Sequence, residues 1–193
     1  MSDNFKAGID FIWRFDGYKD DSAPGENFRT SYGITEMTWN SAVKDGIAEG
    51  AFEDMTEAQA QAIYRVRFWN AIHCSEMPPG VDVMLFSSGT LAGVGHAVRF
   101  LQRIIGARVD GVVGPETIRK AGTYGVQRLI DALATADEDW FKTLGKPQFL
   151  RGWNRRTEEC RQLAYELAGI TPQLSPAPPA PERPSLLARL WSR

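Results

Sequence analysis

The chain has 193 residues, of which 43% are hydrophobic, and its formal net charge is −2. This length and apolar content suffice for one globular domain with a single hydrophobic core. The near balance of charge gives no electrostatic basis for nucleic-acid binding, which requires a basic surface. No apolar run approaches the roughly 20 residues of a membrane span.

The first predicted element is an amphipathic helix that ends at a carboxylate. At about 100° per residue, Phe5, Ile9 and Ile12 fall on one apolar stripe, and Asp16 ends that stripe. Burial and the negative end of the helix dipole would both raise the pKa of Asp16, as a general acid near neutral pH requires. In the alternative interpretation, the helix frays at Phe15 and Asp16 turns outward to water.

A loop rich in Gly, Pro and Asp follows and leads into a short predicted strand, Thr30–Ile34. Glu26 is the candidate second carboxylate, and Thr30 is the candidate hydroxyl that positions a water. Asp20 and Asp21 are better interpreted as solvated turn residues. A glycosidase needs a protonated acid, a second polar group and a positioned water around one sugar bond. This segment offers a candidate for each.

The rest of the pattern predicts a mainly α chain with a small β-ribbon near residues 18–34. Thr35 is a predicted helix cap, and Thr56 with Gln59 forms a predicted capping box. Gly-Pro-Glu at residues 114–116 predicts a further helix start, since proline is favoured at the first helical position. The remaining helices are expected over residues 36–45, 57–71, 81–91, 96–105, 126–144 and 153–168.

Several short motifs, taken in chain order, resemble one family of lysozymes. Phe-Asp-Gly-Tyr at residues 15–18, followed by Thr-Ser-Tyr-Gly-Ile-Thr at residues 30–35, resembles the opening motif of the glycoside hydrolase family 108 lysozymes. That motif reads Glu-Gly-Gly-Tyr, an Asp/Gly/Pro loop, then Thr-x-Tyr-Gly-Ile-Thr. Further matches lie at residues 62–69, 100–103, 110–117 and 149–153. The resemblance covers residues 5–168.

The resemblance implies a lysozyme-like helical fold over residues 1–170, with a catalytic-type half at 1–92 and a peptidoglycan-binding-type half at 93–170. It implies an N-acetylmuramidase that cleaves the β-1,4 bond between N-acetylmuramic acid and N-acetylglucosamine in bacterial peptidoglycan, as phage endolysins do. The expected catalytic residues are Asp16, Glu26 and Thr30, and the expected substrate-binding residues are Tyr18, Tyr32 and Ser87. No cofactor is expected. The chain has only two histidines and no HExxH motif, so a zinc peptidase is not expected either.

The chain departs from the family pattern at the position that carries the chemistry. If the family's Gly-Tyr is aligned on residues 17–18, Phe15 replaces the catalytic Glu and activity is lost. If spacing is counted back from Tyr-Gly-Ile-Thr, Asp16 takes that place with a side chain one methylene shorter. In the middle helix, Ser87 and Leu91 stand where the family has Asp and Asn.

These departures leave a second interpretation open. The chain would then be a catalytically lapsed lysozyme-fold protein that serves as a structural or peptidoglycan-binding component of a phage or phage-like particle. Trp69, Trp140 and Trp153 are candidates for stacking on sugars, although tryptophan at helical spacing is more often part of a core.

Cys74 and Cys160 are expected to be reduced core residues of a protein made in the cytoplasm. No signal peptide is expected, because charged residues interrupt the first apolar stretch. The expected place of action is the periplasm or cell wall, reached through a pore, through host lysis or inside a phage-like particle.

The last part of the chain differs in composition. Residues 171–184 are rich in proline and are expected to form a semi-rigid linker. Residues 185–193 place Leu186, Leu187, Leu190 and Trp191 on one face of a short amphipathic segment. This segment is expected to bind a protein groove or a membrane surface. The alternative is a frayed tail without a partner.

Overall fold

Helices account for nearly all the regular structure in the computed structural model, which describes residues 3–16 and 29–171. The described helices are α1 (Phe5–Asp16), α2 (Glu36–Lys44), α3 (Glu57–Tyr64), α4 (Val81–Ala92), α5 (Val94–Ile105), α6 (Pro115–Thr123), α7 (Val126–Thr143) and α8 (Pro147–Leu167). Strands β1 (Thr30–Ser31) and β2 (Ile34–Thr35) form one antiparallel pair. The predicted mainly α fold with a small ribbon is therefore confirmed.

Some predictions lie outside the described residues. They concern Tyr18, Asp20, Asp21 and Glu26, which follow α1 in the sequence, and the predicted linker and tail at residues 172–193.

Helix α1 has the amphipathic character that its sequence predicts. Phe5, Ile9 and Ile12 are at most 5% exposed and pack into the core. Gly8 lies where α1 crosses α4, and a Cβ at this position would come within 2.9 Å of the Phe86 ring. The absence of a side chain at Gly8 therefore permits the close contact of the two helices.

The predicted single strand Thr30–Ile34 is wrong, because a tight turn divides it. Ser31 pairs with Ile34, and the turn residues Tyr32 and Gly33 have φ angles of 51° and 72°. Two consecutive left-handed residues are typical of the two-residue hairpin turns whose twist matches that of the strands. The hairpin reverses the chain, and its turn residue Gly33 lies beside Asp16 at the end of α1.

The predicted helix caps are confirmed. The Thr35 hydroxyl accepts the backbone N–H of Thr38 at 3.2 Å, and Thr56 and Gln59 form a reciprocal capping box. Helix α3 ends at Tyr64, earlier than expected, and the chain continues as a π-helical segment, Arg65–Asn70. A short 3-10 turn, Cys74–Glu76, leads towards α4.

Helix α4 is the centre of the fold. Its residues 81–89 are buried, and it contacts α1, α5, α7 and α8. Helix α8 begins at Pro147, six residues before the predicted start at Trp153, because proline at the first helical position starts the helix there. This extension adds more than one turn to α8 and brings its first residues beside the end of α1.

The buried side chains form one core that runs from Phe5 to Tyr165. Cys74 and Cys160 are both buried and free, as predicted. Trp69 is fully buried and belongs to this core. Within the described ranges, no helix has the length and apolar character needed to cross a membrane.

Candidate active site

The carboxylate of Asp16 is held by an arginine from the opposite end of the chain. Arg156 of α8 donates from Nη1 to Asp16 Oδ1, and from Nη2 to the Thr90 hydroxyl at 3.1 Å. The Arg156 side chain is only 4% exposed, whereas that of Asp16 is 29% exposed. Asp16 thus ends the apolar stripe of α1 with a buried cation beside it.

The hairpin approaches Asp16 through its glycine. A Cβ at Gly33 would lie 2.7 Å from Tyr64 Oη and 3.1 Å from Asp16 Cβ, so any side chain there would displace one of them. The Tyr64 hydroxyl donates to the Tyr32 carbonyl at 3.0 Å and fixes the turn. Burial and the nearby Asp16 carboxylate raise the pKa of Tyr64, so this hydroxyl remains protonated.

A second carboxyl group lies beneath this ion pair. Asp137 of α7 is 3% exposed and accepts a hydrogen bond from the Ser88 hydroxyl of α4. Burial raises the pKa of Asp137 from 3.8 to about 7, although the Ser88 hydrogen bond and the positive Arg156 oppose the rise. Arg156 therefore interacts with two acidic groups, one exposed to the surface and one enclosed.

Asp16 lines a cavity of about 340 Å³ between the end of α1 and the first turns of α8. Phe15 and Leu91 form part of the wall. The α8 residues on the cavity are Gln148, Phe149, Gly152, Trp153 and Arg156. Among the described residues that line the cavity, Asp16 is the sole carboxylate. Ligand cavities in proteins measure about 300–1,000 Å³, so this one is at the small end.

Phe15 and Asp16, the two residues that compete for the family's Glu position, both face this cavity. The Phe15 ring lies 5.1 Å from the Phe11 ring, and the guanidinium carbons of Arg155 and Arg156 lie 5.6 and 5.8 Å from its centroid. Phe15 thus contributes an apolar wall whose ring also contacts two arginines, while Asp16 contributes a carboxylate.

The structure places the other predicted residues at different depths. Thr30 is half-buried and pairs with Thr35, in the hairpin whose turn contacts Asp16. The Tyr32 ring packs 5.4 Å from the Trp13 ring and does not line the cavity. Ser87 is 5% exposed and also lies away from the cavity wall. Ser87 does not line the cavity, so in this position it supports the site through the packing of α4.

The residues that the sequence did not single out are Arg156, Asp137 and Phe149. Arg156 follows Asp16 by 140 positions, and no local pattern connects the two. Asp137 lies among charged residues of α7 and resembles a surface acid in the sequence. For Phe149, the available signals were the motif at residues 149–153 and the proline two positions earlier, which starts α8 before the aromatic residue.

Comparisons with known families agree with this architecture. Residues 11–93 match the family profile described as glycosyl hydrolase 108, and residues 96–158 match that of a predicted peptidoglycan domain. These two matches support a lysozyme-like protein of the glycosyl hydrolase 108 type, in which a predicted peptidoglycan domain follows the hydrolase segment. The family recognised from the sequence motifs is confirmed.

Solved structures support the same conclusion. The structure of Brucella abortus SagA is similar, with a TM-score of 0.76 and 27% sequence identity over 86% of this chain and 95% of that chain. The search of curated proteins found no match. The cavity takes Asp16 and Leu91 from the first matched segment and its α8 residues from the second, so neither segment forms it alone.

Proposed function

We propose that this protein is a peptidoglycan hydrolase that cleaves the β-1,4 bond between N-acetylmuramic acid and N-acetylglucosamine. The observation that carries the proposal is the cavity in which Asp16 is the sole carboxylate among the lining residues that the structure describes. The glycosyl hydrolase 108 segment and the predicted peptidoglycan domain support peptidoglycan as the ligand.

In the proposed reaction, Asp16 is the general acid. It transfers a proton to the glycosidic oxygen while the bond from that oxygen to the anomeric carbon breaks. A water positioned by Thr30 attacks the anomeric carbon, and Glu26 takes the proton that this water releases. Tyr18, Tyr32 and Ser87 are the proposed substrate-binding residues. Of these, Tyr32 and Ser87 would act indirectly, through the turn and the packing of α4.

One observation favours a second function. Arg156 Nη1 already donates to Asp16 Oδ1, so this oxygen is engaged within the protein and is not free to meet a glycosidic oxygen. With the Asp16–Arg156 pair intact, the protein would bind peptidoglycan without cleaving it, as a lapsed lysozyme in a phage-like particle would. Both functions share the ligand and its site, and both place the protein at the bacterial cell wall.

Mass spectrometry of fragments released from purified peptidoglycan separates the two functions. After reduction of the products with borohydride, a muramidase gives muropeptides that end in reduced N-acetylmuramic acid. Products that end in reduced N-acetylglucosamine would contradict the proposed bond. If the folded protein releases no fragments but sediments with intact sacculi, the binding function is correct and the hydrolase proposal is wrong.

A further inference from the structure

Three aromatic rings are stacked from the core to the surface at the mouth of the cavity. Phe141 of α7 is 1% exposed, Trp153 is half-buried and Phe149 is 50% exposed. The Phe141 and Trp153 centroids are 5.2 Å apart, the Trp153 and Phe149 centroids are 5.6 Å apart, and both pairs are inclined by 33°. The buried Phe141 ring thus supports Trp153, and Phe149 packs on Trp153 while half of its own side chain remains exposed.

Phe149 differs from the other exposed apolar side chains. Single exposed hydrophobic residues are normal on protein surfaces and need no ligand. Among the large apolar side chains that the structure describes as exposed, however, Phe149 is the one aromatic residue. It is also the one of them that lines this cavity. Its ring therefore lies next to the space that Asp16 faces.

The cavity lining also includes a glycine, which leaves space beside the aromatic rings. Gly152 lies on α8, and a Cβ built on it would meet nothing within 4 Å. The Gln148 amide and the Asp16 carboxylate supply polar groups at the sides. A pyranose ring has the matching shape, since its C–H face packs on an aromatic ring and its hydroxyls bond at the rim.

We propose that Phe149 and Trp153 form a stacking platform that holds one N-acetylhexosamine ring of the glycan beside Asp16. This inference rests on the proposed peptidoglycan ligand and names the residues that bind it. The cavity volume suits one sugar ring rather than a longer segment. The Asp16–Arg156 pair leaves the cavity close to neutral, which favours an uncharged sugar over a phosphate group.

The test measures binding of the full chain to N-acetylglucosamine trimer by calorimetry and to purified sacculi by sedimentation. We expect Phe149→Ala to weaken both by about tenfold, as the loss of one aromatic stack implies. Gly152→Leu should abolish binding, because it adds a bulky side chain to the lining of the cavity beside Phe149 and Trp153. Met37→Ala, at an apolar residue of α2 that is 80% exposed and away from the cavity, is the control and should bind as wild type.

The outcomes separate this inference from the hydrolase proposal. If wild type releases no fragments but Phe149→Ala still weakens binding, the platform is correct and hydrolysis is wrong. If wild type releases muropeptides and Phe149→Ala leaves both binding and KM unchanged, hydrolysis stands and the platform is overturned. The platform is also overturned if wild type binds neither probe, or if folded Gly152→Leu binds like wild type. In an active enzyme, Phe149→Ala should raise KM more than it lowers kcat.

Discussion

At the scale of single residues, the site depends on one arginine shared between two acids. Arg156 contacts Asp16 at the cavity and lies near Asp137 beneath it. Removing a buried cation of this kind would leave both carboxyls without compensation, which is far more costly than the loss of a surface ion pair. The ion pair also explains how an acid can end the apolar stripe of α1.

Asp137 predicts a pH dependence of stability. Its pKa is 3.8 in the unfolded chain and about 7 in the fold. Between these values the folded protein holds a proton that the unfolded chain has released, so this contribution to stability is complete below about pH 4 and is lost as the pH rises through about 7. At about 1.4 kcal/mol per pKa unit, the full change is on the order of 4 kcal/mol.

Urea unfolding of Asp137→Asn at several pH values measures this contribution. The amide side chain of this variant cannot ionise, but its oxygen can still accept the hydrogen bond from the Ser88 hydroxyl. Relative to wild type, the variant should therefore gain stability from pH 5 to about pH 7, and the difference should level off towards pH 8. Asp139→Asn, on the exposed face of the same helix, should show no such trend. A difference between Asp137→Asn and wild type that stays constant across this range would contradict the assignment.

At the scale of helices, local chemistry predicted where most elements begin. The Thr56–Gln59 capping box, the Thr35 cap and the Pro115 start depend on neighbouring residues, so they can be read from the sequence. The divided ribbon was missed because Tyr32 adopts a left-handed conformation that non-glycine residues seldom take. The early start of α8 was missed although Pro147 marks it.

The start of α4 depends on a buried hydrogen bond to the chain's first described turn. Asn4 donates from Nδ2 to Asp82 Oδ2 at 2.9 Å, and the other Asp82 oxygen accepts the backbone N–H groups of Gly80 and Val83 at 2.8 Å. Burial raises the pKa of Asp82, because it disfavours the ionised carboxylate. The loss of the Asn4 donor should therefore lower stability most when Asp82 is ionised.

We expect Asn4→Ala to lower the free energy of unfolding by about 1–3 kcal/mol at neutral pH, because it leaves a buried acceptor with fewer partners. Chemical denaturation gives this value directly. Asn40→Ala, at an exposed position of α2, should change stability by no more than about 0.5 kcal/mol. Equal effects of the two substitutions would show that the Asn4–Asp82 contact does not stabilise α4.

At the scale of the whole molecule, the sequence predicted the fold more completely than the site. Helix periodicity and ordered motifs identified a mainly helical lysozyme-like chain, and the family profiles and the SagA structure agree. The cavity could not be predicted in the same way, because it joins Asp16 to α8 across 140 positions. Such contacts depend on how α1, α4, α7 and α8 pack, which no local pattern encodes.

The central claim is that peptidoglycan is hydrolysed with Asp16 as the acid. The most direct test is the initial rate of muropeptide release by wild type, Asp16→Asn and the control Asp10→Asn, whose carboxylate pairs with Lys6 outside the cavity. The account predicts that Asp16→Asn loses at least about a hundredfold in rate while still binding sacculi, and that Asp10→Asn retains the wild-type rate. Release by Asp16→Asn at the wild-type rate would contradict the account.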